Sequence, residues 1–236
     1  MKQLIGSVFV LVMGLFLWSL VPLLGPSAGY LSTYFTQHGV ADNHTANLVT
    51  AVVVNYRGFD TLGEVLVLFA SVSGATFVLR RRDGLPTAQP WPASEFLATG
   101  ARALFAPLVV FGAYIFVHGH LTPGGGFQGG AVVASAVLML LLVNRDRHLP
   151  HGLMTWLESL SGFGFVLTGL IGLAVGGSFL SNKGLMPLGE WNTLFSGGLI
   201  PIIYVLVGIK VGAELSALLD VMFHSTGDAD HQEGQA

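Results

Sequence analysis

Six long runs of apolar residues divide this chain: Leu4–Leu24, Leu62–Leu79, Ala103–Val117, Phe127–Val143, Trp156–Phe179 and Leu199–Phe223. A helix needs about 20 such residues to cross the hydrocarbon core of a bilayer. The pattern predicts an all-α integral membrane protein, a bundle of about six transmembrane helices. A shorter apolar run, Ala46–Val54, cannot span and is expected to lie at the interface or to re-enter before the second span. Leu4–Leu24 follows Lys2 as the core of a signal peptide would. It is long for that role and no clear A-x-A site follows, so it reads as a span.

Composition agrees with this pattern. Of the 236 residues, 52% are hydrophobic and 10% charged, against about 25% charged in soluble domains. So few charges could not cover a soluble surface. The net charge of −3 gives no reason to expect a nucleic-acid partner. The absence of cysteine excludes disulfides, thiolate metal sites and cysteine nucleophiles. There is no H-E-x-x-H zinc motif, which argues against an autonomous membrane enzyme. The 32 glycines point to closely packed helices.

Basic residues then orient the bundle. With an even number of spans, Lys2, Arg80, Arg81, Arg82, Arg102, Arg145 and Arg147 fall on one face, and Arg57 and Lys183 on the other. The positive-inside rule predicts a multi-pass protein of the cell (inner) membrane with both termini cytoplasmic. The chain is expected to divide into a two-span domain with a long polar loop (1–82), a cytoplasmic linker (83–101), a four-span domain (102–224) and a disordered tail (225–236). Pro86, Pro90 and Pro92 prevent one continuous helix across the linker, which is expected to end in a short helix from about Ser94.

Chemistry concentrates in three places. In the polar loop, Asn55-Tyr56-Arg57-Gly58-Phe59-Asp60-Thr61-Leu62-Gly63-Glu64 leads into the second span. Asp60 or Thr61 is placed to cap that helix, and Arg57 to pair with Asp60 or Glu64. Glu64 lies at the edge of the apolar run, where charge is costly unless paired or wetted, so a proton or cation role is equally expected of it. Next, His118–Gly130 joins the third and fourth spans. Pro123, Gly124, Gly125, Gly126 and Gly129 can turn tightly at φ > 0, pack against neighbouring helices or point carbonyls at a cation; tight packing is the favoured reading. The loop is not a phosphate-binding loop. His118 and His120 lack an evident third ligand, so no metal is expected there, and they read as titrating groups at the membrane surface.

The third place is the last span, where Lys210 and Glu214 stand one turn apart on one helix face. An unpaired charge at the bilayer centre costs about 3 kcal/mol on insertion scales. The pair is either a structural ion pair or, as favoured here, part of an ion or proton route. Gly208 and Gly212 form a small-xxx-small motif for close helix approach. Gly162, Gly169, Gly172 and Gly176 form a comparable groove on the fifth span. Glu158 and Asp220 lie nearer span ends and are expected to play surface roles.

At these motifs the sequence resembles a known family. Arg102–Asp220, with Thr122-Pro123-Gly124-Gly125-Gly126-Phe127-Gln128-Gly129-Gly130 and Gly208-Ile209-Lys210-Val211-Gly212-Ala213-Glu214-Leu215, resembles MnhB, a small component of the multisubunit Mrp (Mnh) Na+/H+ antiporters. Residues 1–82 look like the segment fused to the C-terminus of MnhA, the large component of the same antiporters, and similar to a separate small subunit of membrane-bound hydrogenases. The resemblance implies an accessory subunit of a multisubunit cation/proton antiporter, with Na+ and H+ as transported ions, other complex subunits and the lipid bilayer as partners, and no cofactor. Glu64, Lys210, Glu214 and Asp60 are the candidate pathway residues. Membership of a redox-driven pump, such as a membrane-bound hydrogenase or formate hydrogenlyase-like complex, is the alternative; its electrons would travel elsewhere, as the chain has no cysteine for iron–sulfur ligation. A purely structural role is the third possibility.

Overall fold

A computed structural model describes residues 2–20, 29–80, 93–144, 148–182 and 184–224. The expectations for linker residues 83–92, for the tail 225–236 and for Arg81, Arg82, Arg145, Arg147 and Lys183 lie outside the described residues. Among the described residues all regular structure is helical: α1 (Lys2–Leu20), α2 (Tyr30–Asn43), α3 (Leu48–Thr50) running into a π-helical turn (Ala51–Tyr56), α4 (Gly58–Arg80), α5 (Glu95–Val117), α6 (Gly126–Val143), α7 (His151–Gly176) and α8 (Ile200–His224). Five of them, α4 to α8, are long and apolar enough to cross a membrane. The 19 residues of α1 extend about 28 Å at 1.5 Å per residue, close to the hydrocarbon thickness. The chain is therefore an all-α, multi-pass membrane protein of five to six spans.

The chain forms two units, residues 1–38 and 39–236. In the first, α1 leads to the opening turns of α2, where the Tyr34 and His38 rings stack at 4.4 Å. The sequence reading expects a polar loop at α2. The helix there has no apolar stripe to announce it.

The second unit is built around α8. Over half of α8's apolar stretch is buried, 56%, against 11% for α4 and for α5. Ile200, Ile203, Tyr204, Val207 and Val211 of α8 pack with Val54, Val65, Phe165 and Leu180 to form its core. The helices α5, α6 and α8 approach backbone to backbone. A Cβ on Gly129 would sit 2.5 Å from the Gly112 carbonyl oxygen, and one on Gly130 would sit 2.8 Å from that of Gly208. No side chain fits there, so these positions need glycine for close approach.

The helix expected from about Ser94 runs on unbroken as α5; the Ser94 Oγ caps it by accepting the Leu97 N–H at 3.2 Å. After α7, Gly177 adopts φ 79° and the chain turns back. Phe179 then fills the space over Gly169, and Leu180 and Ser181 cover Gly172. The groove on α7 is thus occupied along part of its length by this chain's own return segment.

Candidate ion-pathway site

Lys210 projects from the middle of α8 with its side chain 9% exposed. Its Nζ lies 3.3 Å from Glu214 Oε1, one turn on, and donates a hydrogen bond to it. On its other side, 3.7 Å away, is Glu158 Oε1 of α7. The Phe69 ring of α4 lies 5.2 Å from the same ammonium, within cation–π range. Gly162 leaves room for the stem: a Cβ there would meet Lys210 Cδ at 3.7 Å. Three helices thus converge on one cation. Glu214 is 1% exposed and its Oε2 has no hydrogen-bond partner among the described residues.

Glu158 corrects the sequence reading, which assigns it to the surface. It sits near the start of α7, but its side chain faces Lys210. Distance along a helix does not reveal which neighbour the side chain meets. Asp220 is corrected for the same reason: near the end of α8 it is 1% exposed rather than a surface group.

Glu64 and Asp60 stand apart from this cluster. Asp60 pairs with Arg57, with Oδ2 2.6 Å from Nη2, and both are exposed. Glu64 is exposed on α4 and makes no ion pair among the described residues. Thr61 does not cap α4, which already begins at Gly58. Its hydroxyl donates to the Val53 carbonyl at 2.6 Å, pinning the π turn to the helix.

Around the glycine loop a hydrogen-bond chain links three elements. The Tyr204 hydroxyl of α8 donates to Thr50 Oγ1 at 3.0 Å, and Thr50 donates to the Gly119 carbonyl at 2.7 Å. Asn47 caps α3 and donates from Nδ2 to the Gly119 and Thr122 carbonyls. The short segment Leu48–Tyr56 is thereby held against both the loop and α8. None of the loop glycines between Gly119 and Gly130 takes a positive φ in the left-handed region; they give close approach instead. A Cβ on Gly119 would meet the Tyr204 ring at 2.6 Å, one on Gly124 the Ile115 carbonyl oxygen at 3.0 Å, one on Gly125 Gln128 Oε1 at 2.5 Å, and one on Gly126 Val207 at 2.7 Å. Pro123 lies in the same turn. Gly208 packs under the Phe116 ring, and Gly212 faces Gly130 and Val133. Gly176 ends α7 and borders an open cleft of about 560 Å³ shared with Arg57 and Asp60.

His120 is wholly buried, not a surface group. Its Nε2–H donates to the Thr193 carbonyl at 3.4 Å and Nδ1 has no partner among the described residues. Burial pushes its pKa below the ordinary 6.5, and the neighbouring His118 adds to this, against the opposing hydrogen bond to Thr193. The sequence reading also misses Asn182. It donates to the Gly197 carbonyl at 3.0 Å and accepts the Leu199 N–H at 2.8 Å, closing the N-terminal end of α8.

This is a polytopic helical membrane protein with a charged cluster enclosed between helices, an arrangement characteristic of proteins that handle ions. Residues 96–217 match the family described as a domain related to the MnhB subunit of Na+/H+ antiporter, and residues 5–90 match the MbhE family, a component of MBH. The chain belongs to the MnhB-related family. An uncharacterized protein of Methanocaldococcus jannaschii is 31% identical over 217 residues, covering 80% of each chain. A probable K+/H+ antiporter component of the combined A/B type, from Rhizobium meliloti, is 27% identical over 59% of this chain, but that covers only 16% of its own length. Among solved structures, a chain of the membrane-bound sulfane sulfur reductase, an archaeal respiratory membrane complex, aligns with TM-score 0.74 and 42% identity over 94% of this chain and 98% of that one. A chain of the Mrp complex from Dietzia aligns with TM-score 0.73 and 25% identity over 97% of this chain and 26% of that one.

Proposed function

We propose that the chain is an accessory membrane subunit of a multisubunit cation/proton antiporter of the Mrp type, contributing side chains to the ion path and surfaces to assembly. One observation carries this reading. Two carboxylates, Glu158 and Glu214, flank one ammonium, Lys210, inside the bundle. The ionised cluster would hold one negative charge in excess, in surroundings where charge is costly. A shared proton or a passing cation relieves that excess, and the unpartnered Glu214 Oε2 is a place to receive it. Lys210 can shift its contact between the two carboxylates and so transmit the arrival of charge. A mainly structural pair would need only one carboxylate.

Glu64 and Asp60 would continue the route at the edge of α4, against other subunits. An exposed glutamate on a spanning helix needs a polar partner, and α4 has little of its surface covered by this chain. The glycine loop from Pro123 to Gly129 would shape the outer end. The chain is read as having no catalysis of its own, and as lying in the cell membrane with both termini cytoplasmic. Na+ and H+ would be the transported ions.

The test uses the native complex in membrane vesicles. Glu214→Gln and Glu64→Gln complexes that assemble normally are expected to lose Na+-dependent transport by about tenfold or more, equivalent to about 1.4 kcal/mol of barrier. Normal flux with impaired assembly would instead assign the chain a scaffold role. A second reading places the chain in a redox-driven respiratory pump. It is favoured by the 42% identity to a chain of such a complex, matched over almost its whole length. Mass spectrometry of the intact complex separates the two, since iron–sulfur subunits would accompany the chain only in the second.

A further inference from the structure

A second polar cluster lies outside the proposed path, where the connection between α6 and α7 meets the end of α8. Asp220 is the buried centre, its side chain 2% exposed. Its Oδ1 accepts the Leu149 N–H at 3.2 Å. His151 Nε2 stands 3.4 Å from Oδ2, and His224 Nδ1 3.3 Å from Oδ1. The His148 and His224 rings stack with centroids 3.7 Å apart. One potential ligand atom each from His148, Asp220 and His224 lies within 4.8 Å of the others.

The hydrogen bonds settle which atoms are free. His224 Nδ1 lies 2.7 Å from the Asp220 main-chain carbonyl oxygen. A carbonyl only accepts, so Nδ1 carries the proton and Nε2 the lone pair. That Nε2 is buried with no hydrogen-bond partner among the described residues. A histidine held by one ring N–H on a backbone carbonyl, with its other nitrogen free, is oriented as metal-ligating histidines are. Two imidazoles beside a carboxylate suit a borderline divalent ion.

We propose that His148, Asp220 and His224 form a binding site for a divalent transition-metal ion of the Zn2+ class, with His151 as a further donor. Ligand atoms around a tetrahedral ion at 2.0–2.1 Å are about 3.4 Å apart, and imidazole lone pairs lie in the ring plane, so the groups need to close by roughly an ångström and the His148 ring needs to swing out of its stack on His224. His148 can supply the movement, as it is exposed and lies in an irregular segment. The ion would neutralise the buried Asp220 and fasten the α6–α7 connection to the last turn of α8.

The full-length chain, purified in detergent without a histidine tag and stripped with a chelator, is titrated with Co2+ and then Zn2+. The expected result is one equivalent of Co2+ with visible d–d absorption, displaced by Zn2+, and a Zn2+-induced rise in unfolding temperature. His148→Ala is expected to weaken binding by about tenfold or more and to abolish the thermal shift. His224→Ala should remove binding. His38→Ala, at an exposed position on α2, should change nothing. Because His148 is exposed, its variant is expected to fold even if that of His224 does not. No saturable binding to the native chain, or undiminished binding by His148→Ala, would overturn the proposal. So would a cluster that responds to pH alone, with imidazolium in place of metal.

Discussion

His120 carries a pH dependence whose sign follows from its surroundings. Its folded pKa lies below 6.5, chiefly through burial. In the unfolded chain the ring protonates first, so the unfolded state takes up more protons as the pH falls through about 6.5. The stability associated with neutral His120 is present in full above that pH, declines below it and levels off under the depressed folded value. Thermal unfolding of the detergent-solubilised protein should therefore show a midpoint that drops below pH 6.5. In His120→Gln that segment of the profile should flatten; a slope identical to wild type would remove His120 as the cause. Lys210 poses a different problem at the same scale. Its removal would strand two carboxylates, and breaking a buried pair in this way costs about 3 to 5 kcal/mol. Loss of function in a lysine variant would therefore confuse folding with conduction, whereas Glu214→Gln keeps the shape and hydrogen-bonding capacity of the side chain.

Among the helices, the close approach at Gly129 is the most sensitive contact. A methyl there would meet the Gly112 carbonyl oxygen and Phe116 at 2.9 Å or less. Backbone cannot yield as a flexible side chain can, and overpacking costs about 1 to 3 kcal/mol. Gly129→Ala should lower the unfolding temperature clearly, whereas Gly63→Ala, with no atom within 4 Å of the new methyl, should not. The long apolar helices were legible in the sequence because lipid demands a simple signal, a run of apolar residues. The Lys210–Glu214 pairing was legible because an i,i+4 spacing determines its own geometry. Glu158 was not, because meeting Lys210 depends on how α7 is rotated against α8, and no residue spacing within one helix contains that rotation. Nor was α2, whose polar surface lacks periodicity. The loop glycines read foremost as packing positions; they give close approach without using the positive φ that glycine permits. The His148–Asp220–His224 group is not legible as a whole: Asp220 and His224 stand one turn apart on α8, but His148 is over 70 positions from Asp220 and meets it only when the helix ends come together.

For the whole molecule, the notable fact is that two family matches, residues 5–90 and 96–217, share one chain. Within residues 39–236 the two matched parts are joined by more than the linker. Thr50 and Asn47 bond to the glycine loop, Val54 and Val65 enter the core around α8, and Phe69 reaches Lys210. A protease site inserted between residues 83 and 92 should therefore leave both fragments co-purifying in mild detergent, seen as two bands from one size-exclusion peak. Fragments that separate on cutting would show that the tether supplies the association through effective concentration.

The near-contact of backbones at Gly112–Gly129 and Gly130–Gly208 also bears on movement. Where main chains touch, there is no soft layer of side chains to slide on, so α5, α6 and α8 should travel as one stiff block. Under the proposed pathway role, gating would be left to small parts: the ammonium of Lys210 swinging across a gap of a few ångströms, and α7 leaning toward or away from it. Such a gate would be thrown by a single charge while the α5–α6–α8 block keeps its shape.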